Sequence, residues 1–222
     1  MYLSRLNILN YKNIKQAELS FDAGINCFVG NNGAGKTNLL DSIYYLSFCK
    51  SYFNPVDSQV ICHDQDFFVV QGYYERNGSD EEVYAGLKRN QKKQFKRNKK
   101  EYPKLSDHIG LLPLVMVSPG DERLIVEGSE QRRKYLDSVI SQCDKSYLDY
   151  LIRYNRALNQ RNALIKNNKS AGSRIESQLE VWDEQMALLG NVIYEKRQTF
   201  ILELMPVFQK YYRIISGGHE QI

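Results

Sequence analysis

Apolar and polar positions alternate along the start of the chain. YLSRLNILNY (2–11) is apolar-rich, and in QAELSF the residues Ala17, Leu19 and Phe21 fall on one face, so both segments are predicted as strands. INCFV (25–29) is an unbroken apolar run, the pattern of a buried parallel strand. In NLLDSIYYLSF the period lengthens: Leu39, Leu40, Ile43, Tyr44 and Ser47 recur at helical spacing, with the apolar ones on one face. DFFVVQGYYE and EEVYAGLK, rich in aromatic and β-branched residues, flank RNGSD, where Asn77 and Gly78 signal a turn between antiparallel strands.

Beyond Pro113 and Pro119 the pattern becomes helical. Ser129 is read as the cap of a helix carrying Leu136, Val139, Ile140, Cys143, Leu148, Leu151, Tyr154 and Leu158, running to about residue 166. KNNKSAGSR is a polar break. After it Ile175, Leu179, Trp182, Met186, Leu189 and Ile193 alternate in steps of four and three, so a second helix is expected to fold back as an antiparallel hairpin. Pro206 is expected to kink or end that helix. The predicted organisation is a head over 1–125 and a helical lobe over 126–222.

Between the predicted strand 25–29 and the first helix stands GNNGAGKT, which meets the pattern GxxxxGK[ST] at Gly30, Gly35, Lys36 and Thr37. Glycines at 30, 33 and 35 let the backbone of Gly30, Asn31, Asn32, Gly33, Ala34 and Gly35 turn its N–H groups inward on phosphate oxygens. The following helix aims its positive end at the same anion, Lys36 adds a charge for the β- and γ-phosphates, and the Thr37 hydroxyl is placed to ligate Mg²⁺. The chain is therefore expected to bind ATP with Mg²⁺. Hydrolysis also needs a carboxylate at the end of an apolar strand. Asp183 and Glu184 in VWDEQM lie on a helical surface, and LPLVMVSPGDE interposes Pro119 and Gly120 before Asp121, so no catalytic residue is assigned. His63, His108 and His219 are scattered and form no triad with Ser or Cys.

Charge changes the picture at one place. The chain is +4 overall, yet residues 88–104 hold nine Lys or Arg against the single Glu101, so the remainder is net acidic. Lys88, Arg89, Lys92, Lys93, Lys96, Arg97, Lys99 and Lys100 form a basic ribbon suited to DNA phosphates. Phe95 and Tyr102 interleave with it and are expected to pack on the sheet rather than stack on bases. The four cysteines have no zinc spacing and are read as buried, reduced thiols. No run approaches the length of a membrane span, which places the protein in the cytoplasm.

NYKNI, GNNGAGKTNLLDSIYYLSFCKSYF and GSEQRRKYLD (128–137) together resemble the RecF family of bacterial DNA replication and repair proteins; the loop motif is shared with SMC-type ATPases, the KSYF tail and RRKYLD block less widely. The resemblance implies an α/β P-loop NTPase fold: an ABC-type head with a mixed sheet containing antiparallel strands, plus a helical hairpin lobe. It implies ATP-dependent homodimerisation, binding to single-stranded and gapped or junction DNA, RecR and RecO as partners, a place in recombinational repair and the SOS response, and weak DNA-dependent ATPase activity at full length. By the same likeness Lys12 and Asn13 approach the nucleotide, whereas Arg132 and Arg133 belong to a block of unassigned role. A signature loop and a Walker B aspartate are not recognisable, and SGG (216–218) reads as a turn, so the chain is expected to be an N-terminal portion that binds ATP without turning it over. A P-loop phosphotransferase and a transporter ATPase subunit are the competing readings.

Overall fold

The computed structural model describes residues 1–76, 78–167 and 176–220. The chain forms two compact units, Met1–Val117 and Ser118–Ile222. The boundary expected after residue 125 falls inside a short helix of the second unit.

The first unit is built on a six-stranded sheet of order β2-β1-β3-β4-β5-β6, antiparallel at every pairing. Its strands are β1 (Tyr2–Tyr11), β2 (Ile14–Ser20), β3 (Phe67–Arg76), β4 (Ser79–Lys88), β5 (Gln94–Arg97) and β6 (Lys100–Glu101). Period-two patterning decides which side chains face inward: Leu6 and Ile8 of β1, Phe68 and Val70 of β3, and Val83 and Ala85 of β4 are buried, while their sequence neighbours point away. Helix α1 (Lys36–Phe48) covers that face with Leu39, Tyr45 and Leu46. Tyr45 and Phe68 meet edge to face at 5.2 Å, and Phe95 stacks on Tyr45 at 5.9 Å. Phe95 is thus a core residue, as expected. Leu40, expected on the buried stripe, is 44% exposed, because α1 buries Asp41 and Ser42 in its place. Gly78 carries φ 78, as the expected turn requires; Asn77 lies outside the described residues.

The expected parallel strand at 25–29 does not form. Phe21 N–H still bonds the Ser4 carbonyl, and from there to α1 the chain runs without strand; Ile25 and Val29 are more than nine-tenths exposed. An apolar run states a need for burial without naming the partner, and no described strand lies beside this one. Cys27 is exposed with it, and so is Cys143, whereas Cys49 and Cys62 are buried as expected.

The second unit is helical: α2 (Arg123–Val126), α3 (Ser129–Cys143), α4 (Lys145–Asn167) and α5 (Glu176–Ile215). The single helix expected from Ser129 to residue 166 is two, interrupted at Asp144, whose backbone is extended at φ −127 and ψ 103. Asp144 caps α4, its Oδ1 accepting from the Tyr147 N–H at 3.0 Å and from the Ser146 hydroxyl. Ser129 is the first helical residue, and Gly128 holds the cap position. Ile140, Tyr147 and Ile193 form the buried centre of this unit. Arg197 pairs with Asp137 of α3 and with Tyr147; because Tyr147 early in α4 meets Arg197 while Arg161 later in α4 meets Asp183 earlier in α5, α4 and α5 are antiparallel. Most of the KNNKSAGSR break lies outside the described residues. Pro206 does not end α5, which continues to Ile215; a proline there removes only the one N–H bond to the Leu202 carbonyl, and helical turns continue on both sides.

One pH dependence follows. The Lys196 ammonium first, then the Ser146 hydroxyl, hold the Asp144 carboxyl well below the ordinary carboxylate range. A carboxyl depressed in the folded state adds stability that is fully present above its unfolded value of about 4 and is lost as pH falls below it. Asp144→Asn keeps a capping oxygen but loses the charge, so it is expected to flatten the acid limb of unfolding followed by far-ultraviolet circular dichroism below about pH 4. An acid limb identical to that of the parent would show that this carboxyl is not linked to folding.

Candidate functional site

The phosphate loop departs from the sheet without secondary structure and enters α1 at Lys36. Gly33 sits at φ 82 and Gly35 at φ 102, backbone values that side chains with a Cβ rarely adopt. A Cβ on Gly35 would also stand 3.0 Å from the Asn13 Oδ1. These glycines let the first turn of α1 open toward the loop with its backbone N–H groups unblocked. The Lys36 ammonium lies across the loop, donating to the carbonyls of Gly30 at 2.7 Å and Asn31 at 2.9 Å. A helix N-terminus and one ammonium thus stand at the same glycine-rich loop, the parts from which a polyphosphate site is built.

The turn between β1 and β2 closes on this loop. Asn13 donates to the Gly33 carbonyl at 3.0 Å and accepts from the Asn38 amide at 2.7 Å. Lys12, in the left-handed region at φ 52, pairs with Asp41 at 2.7 Å. Both residues expected to approach the nucleotide thus stand at the loop.

Asp41 is the residue the sequence reading missed. Its carboxylate is fully buried on α1 and accepts from the Tyr11 hydroxyl at 2.7 Å, the Ser51 hydroxyl at 2.7 Å and the Tyr52 N–H at 2.7 Å, besides the Lys12 ammonium. Burial, and then the Asp41 carboxylate, push the Tyr11 hydroxyl above its ordinary pKa, so it stays a neutral donor. The network fastens three pieces of chain: the end of β1, the phosphate-loop helix and the segment 51–54. The only signal in the sequence is an acidic residue within the apolar helical stretch NLLDSIYYL.

Beside Thr37 lies an open cleft of about 400 Å³. Lys12, Asn13, Thr37 and Asn38 form its loop side; Phe53, Gln59, Ile61 and His63 line it as well. The isolated bridge between Tyr11 and Ile61, with the Lys12 N–H bonded to the Val60 carbonyl at 2.7 Å, holds the segment 59–63 against the β1–β2 turn.

The sequence profile described as AAA ATPase domain matches residues 1–189. The DNA replication and repair protein RecF of Bacteroides fragilis is 59% identical over the whole of this chain, which covers 60% of that protein. The chain belongs to the RecF family. RecF of Phocaeicola vulgatus is 60% identical, again over the whole chain and 59% of the relative, so the chain spans about 60% of the length of the RecF proteins it matches. Among solved structures, "the recombination mediator protein RecF-ATP in RecFOR pathway" superposes with TM-score 0.89 at 34% identity, over 97% of this chain and 58% of that one. An SMC ATPase head at 16% identity and TM-score 0.51 shares the fold alone. The expected head-and-lobe class is therefore correct, with the expected mixed sheet replaced by an antiparallel one among the described residues.

In this RecF-family chain the basic ribbon is the β4–β5–β6 edge of the sheet. The structure sorts its eight cations. Arg97 is committed to Glu81, with Nε 2.7 Å from the carboxylate, and its guanidinium depresses the Glu81 carboxyl. Lys93 donates to Asp57 at 2.8 Å and to the Cys49 carbonyl at the end of α1 at 2.7 Å, where a helix terminus favours a cation. These two are held by the protein's own acceptors. Arg89 donates to the Gln65 carbonyl, and Lys96 lies over the Tyr84 ring at 5.3 Å. Lys88, Lys92, Lys99 and Lys100 are exposed, the last two at the β5–β6 turn.

The RecF-like block RRKYLD (132–137) lies in the first half of α3. Arg132 donates to the carbonyls of Leu124 at 3.1 Å and Glu127 at 3.3 Å, satisfying acceptors at the end of α2, and Arg133 donates to the Ser129 hydroxyl at 2.7 Å. Asp183 pairs with Arg161 and lies on a helix surface, as expected. Among the described residues no group of three His, Cys, Asp or Glu is placed to hold a metal, and no helix is long and apolar enough to cross a membrane.

Proposed function

We propose that the chain is the nucleotide-holding portion of a RecF-type repair protein, binding ATP at Gly30–Thr37 and DNA along the β4–β6 edge. The observation that carries the reading is the Lys36 ammonium held across the Gly30–Gly35 loop at the N-terminus of α1. The solved relative described as RecF-ATP, similar over 97% of the chain, supports it. Mg²⁺ fits the residues present only as a partner of the nucleotide: Thr37 offers one hydroxyl at the cleft, and phosphate oxygens and water supply the rest. Such an ion would neutralise charge between the β- and γ-phosphates.

Lys36 holds the phosphate tail, Lys12 and Asn13 fix the turn beside it, and Thr37 orients the metal edge. Binding without turnover is the behaviour proposed for these residues. For the whole length of the relatives we propose ATP-controlled homodimerisation, action at single-strand gaps and junctions with RecR and RecO in the cytoplasm, and roles in recombinational repair and the SOS response. Similarity to RecF along the entire chain leaves nothing that favours a phosphotransferase or a transporter subunit.

DNA binding is the part most open to test. If about four cations contact phosphates of a duplex, log affinity against log salt should slope by roughly −3 to −4. Reversing Lys92, Lys96 and Lys100 to Glu is expected to weaken binding by at least about tenfold at moderate salt and to flatten that slope, measured by fluorescence anisotropy. Affinity and slope both equal to the parent's would remove the ribbon from the DNA site.

A further inference from the structure

A second cleft, of about 340 Å³, opens at the β5–β6 edge of the sheet. Phe95, Tyr102, Pro103 and Leu105 are its apolar lining, and Lys92 and Glu101 bring charge to it. Phe95 is a buried core residue, stacked on Tyr45 of α1. Tyr102 packs edge to face on His108 at 5.1 Å, as a residue seated on the sheet should, yet it is only half-buried and lines the cleft. Its N–H bonds the Phe95 carbonyl at 3.1 Å, and the buried His108 sets Nε2 2.5 Å from the Leu46 carbonyl of α1. The fold thus holds the tyrosine in place, and a flat ligand laid against it has little left to order.

The charges sharpen the question of what that ligand is. Glu101 is the single acid among the nine cations of residues 88–104. It is the register partner of Lys96, but the Lys96 ammonium lies over the Tyr84 ring, and among the described residues no ion pair or hydrogen bond claims the Glu101 carboxylate. A surface that binds only phosphates is weakened by an exposed carboxylate. One that also receives an N–H donor has a use for it, and the amino group of cytosine is such a donor, read by Glu or Asp. Cations for the backbone and an aromatic ring for the base are the two halves of a single-strand site. An acidic peptide, the other ligand that lysines attract, meets Glu101 as a like charge.

Resting on the reading that DNA lies along the β4–β6 edge, we infer that this cleft takes an unpaired base of single-stranded DNA, stacked on Tyr102 with its amino group donating to Glu101. The exposed Lys92 and Lys100 hold the flanking phosphates, while Lys93 stays with Asp57. Bases in a duplex are stacked and paired already and do not enter, so the subsite separates single strand from duplex at an edge whose lysines treat both alike. Thymine, with a carbonyl where cytosine has its amino group, sets an acceptor against the carboxylate.

The test is fluorescence anisotropy on the 222-residue chain with a duplex bearing a short single-stranded arm, the arm being all cytosine, all thymine or abasic. The three arms carry the same phosphates, so lysines alone bind them equally. The cytosine arm is expected to bind about tenfold more tightly than the abasic arm and several-fold more tightly than the thymine arm. Tyr102→Leu is expected to bring the cytosine-to-abasic ratio near one with blunt-duplex affinity unchanged. Glu101→Gln, at an exposed position that does not endanger the fold, is expected to bring thymine within about twofold of cytosine, because an amide offers a donor as well as an acceptor. Equal binding of the cytosine and abasic arms by the parent, or ratios unmoved in both variants, overturns the subsite and leaves the basic edge standing. Arms that bind alike beside an acidic tyrosine-bearing peptide that binds the parent and not Tyr102→Leu would assign the cleft to a protein partner and overturn it as well. Failure of every arm and of the blunt duplex to bind, or binding indifferent to reversal of Lys92, Lys96 and Lys100, overturns the DNA edge and the subsite with it.

Discussion

Asp41→Asn is expected to lower the stability of the first unit by about 3–5 kcal/mol, more than any other single polar substitution considered. The buried carboxylate faces four donors, and one of them, the Lys12 ammonium, keeps 11% side-chain exposure. Removing the negative charge leaves that cation without a counterion in a low-dielectric setting, and the Asn NH₂ group turns a donor toward other donors. For a chain of this size the change corresponds to a fall in Tm on the order of 10 °C. Because the cost is an unpaired charge and not the absence of an ion pair as such, Lys12→Met combined with Asp41→Asn should recover part of it. A calorimetric melt that shifts by less than about 1 °C would show that the four contacts are energetically idle. The variant should also weaken nucleotide binding, since the same carboxylate holds Lys12 and the segment bearing Phe53.

Lys36→Ala is expected to reduce ATP affinity by about two orders of magnitude while leaving the melt of the nucleotide-free chain nearly unchanged. In the structure the ammonium bonds only two loop carbonyls, at 2.7 and 2.9 Å, in an exposed setting, so its loss costs folding little. Against a triphosphate it makes charge-assisted hydrogen bonds at a helix N-terminus, each worth about 1.5–3 kcal/mol, and about 1.4 kcal/mol is a factor of ten. Separation of the two effects distinguishes a ligand-binding lysine from a structural one.

The loop was legible because its chemistry is contiguous: glycines, Lys36 and Thr37 stand within eight residues, and the helix they open is announced by its own periodicity. Strands β1 to β4 were legible for the same local reason. What was hidden depends on residues distant in sequence. Phe53, Gln59 and His63 belong to a loop and a turn that only the fold brings to the cleft beside Thr37, and only the fold joins Asp41 to Tyr11, Lys12, Ser51 and Tyr52. Lys93 and Arg97 look like free cations in the string KKQFKR, yet Asp57 and Glu81 claim them across the sheet and helix end. The break at Asp144 was masked because apolar positions continue on either side of it; the capping aspartate followed by Ser146 was the signal passed over. Residues 25–29 show the limit of hydrophobic runs, which demand cover without saying what provides it.

The account rests on the loop at Gly30–Thr37 being a cradle for a nucleotide's phosphates. The direct measurement is calorimetric titration of Mg²⁺-ATP into the folded chain beside Lys36→Ala. Saturable binding at one site per chain, lost in the variant, is the expected result; no heat of association in folded parent protein, or equal binding by Lys36→Ala, would contradict it.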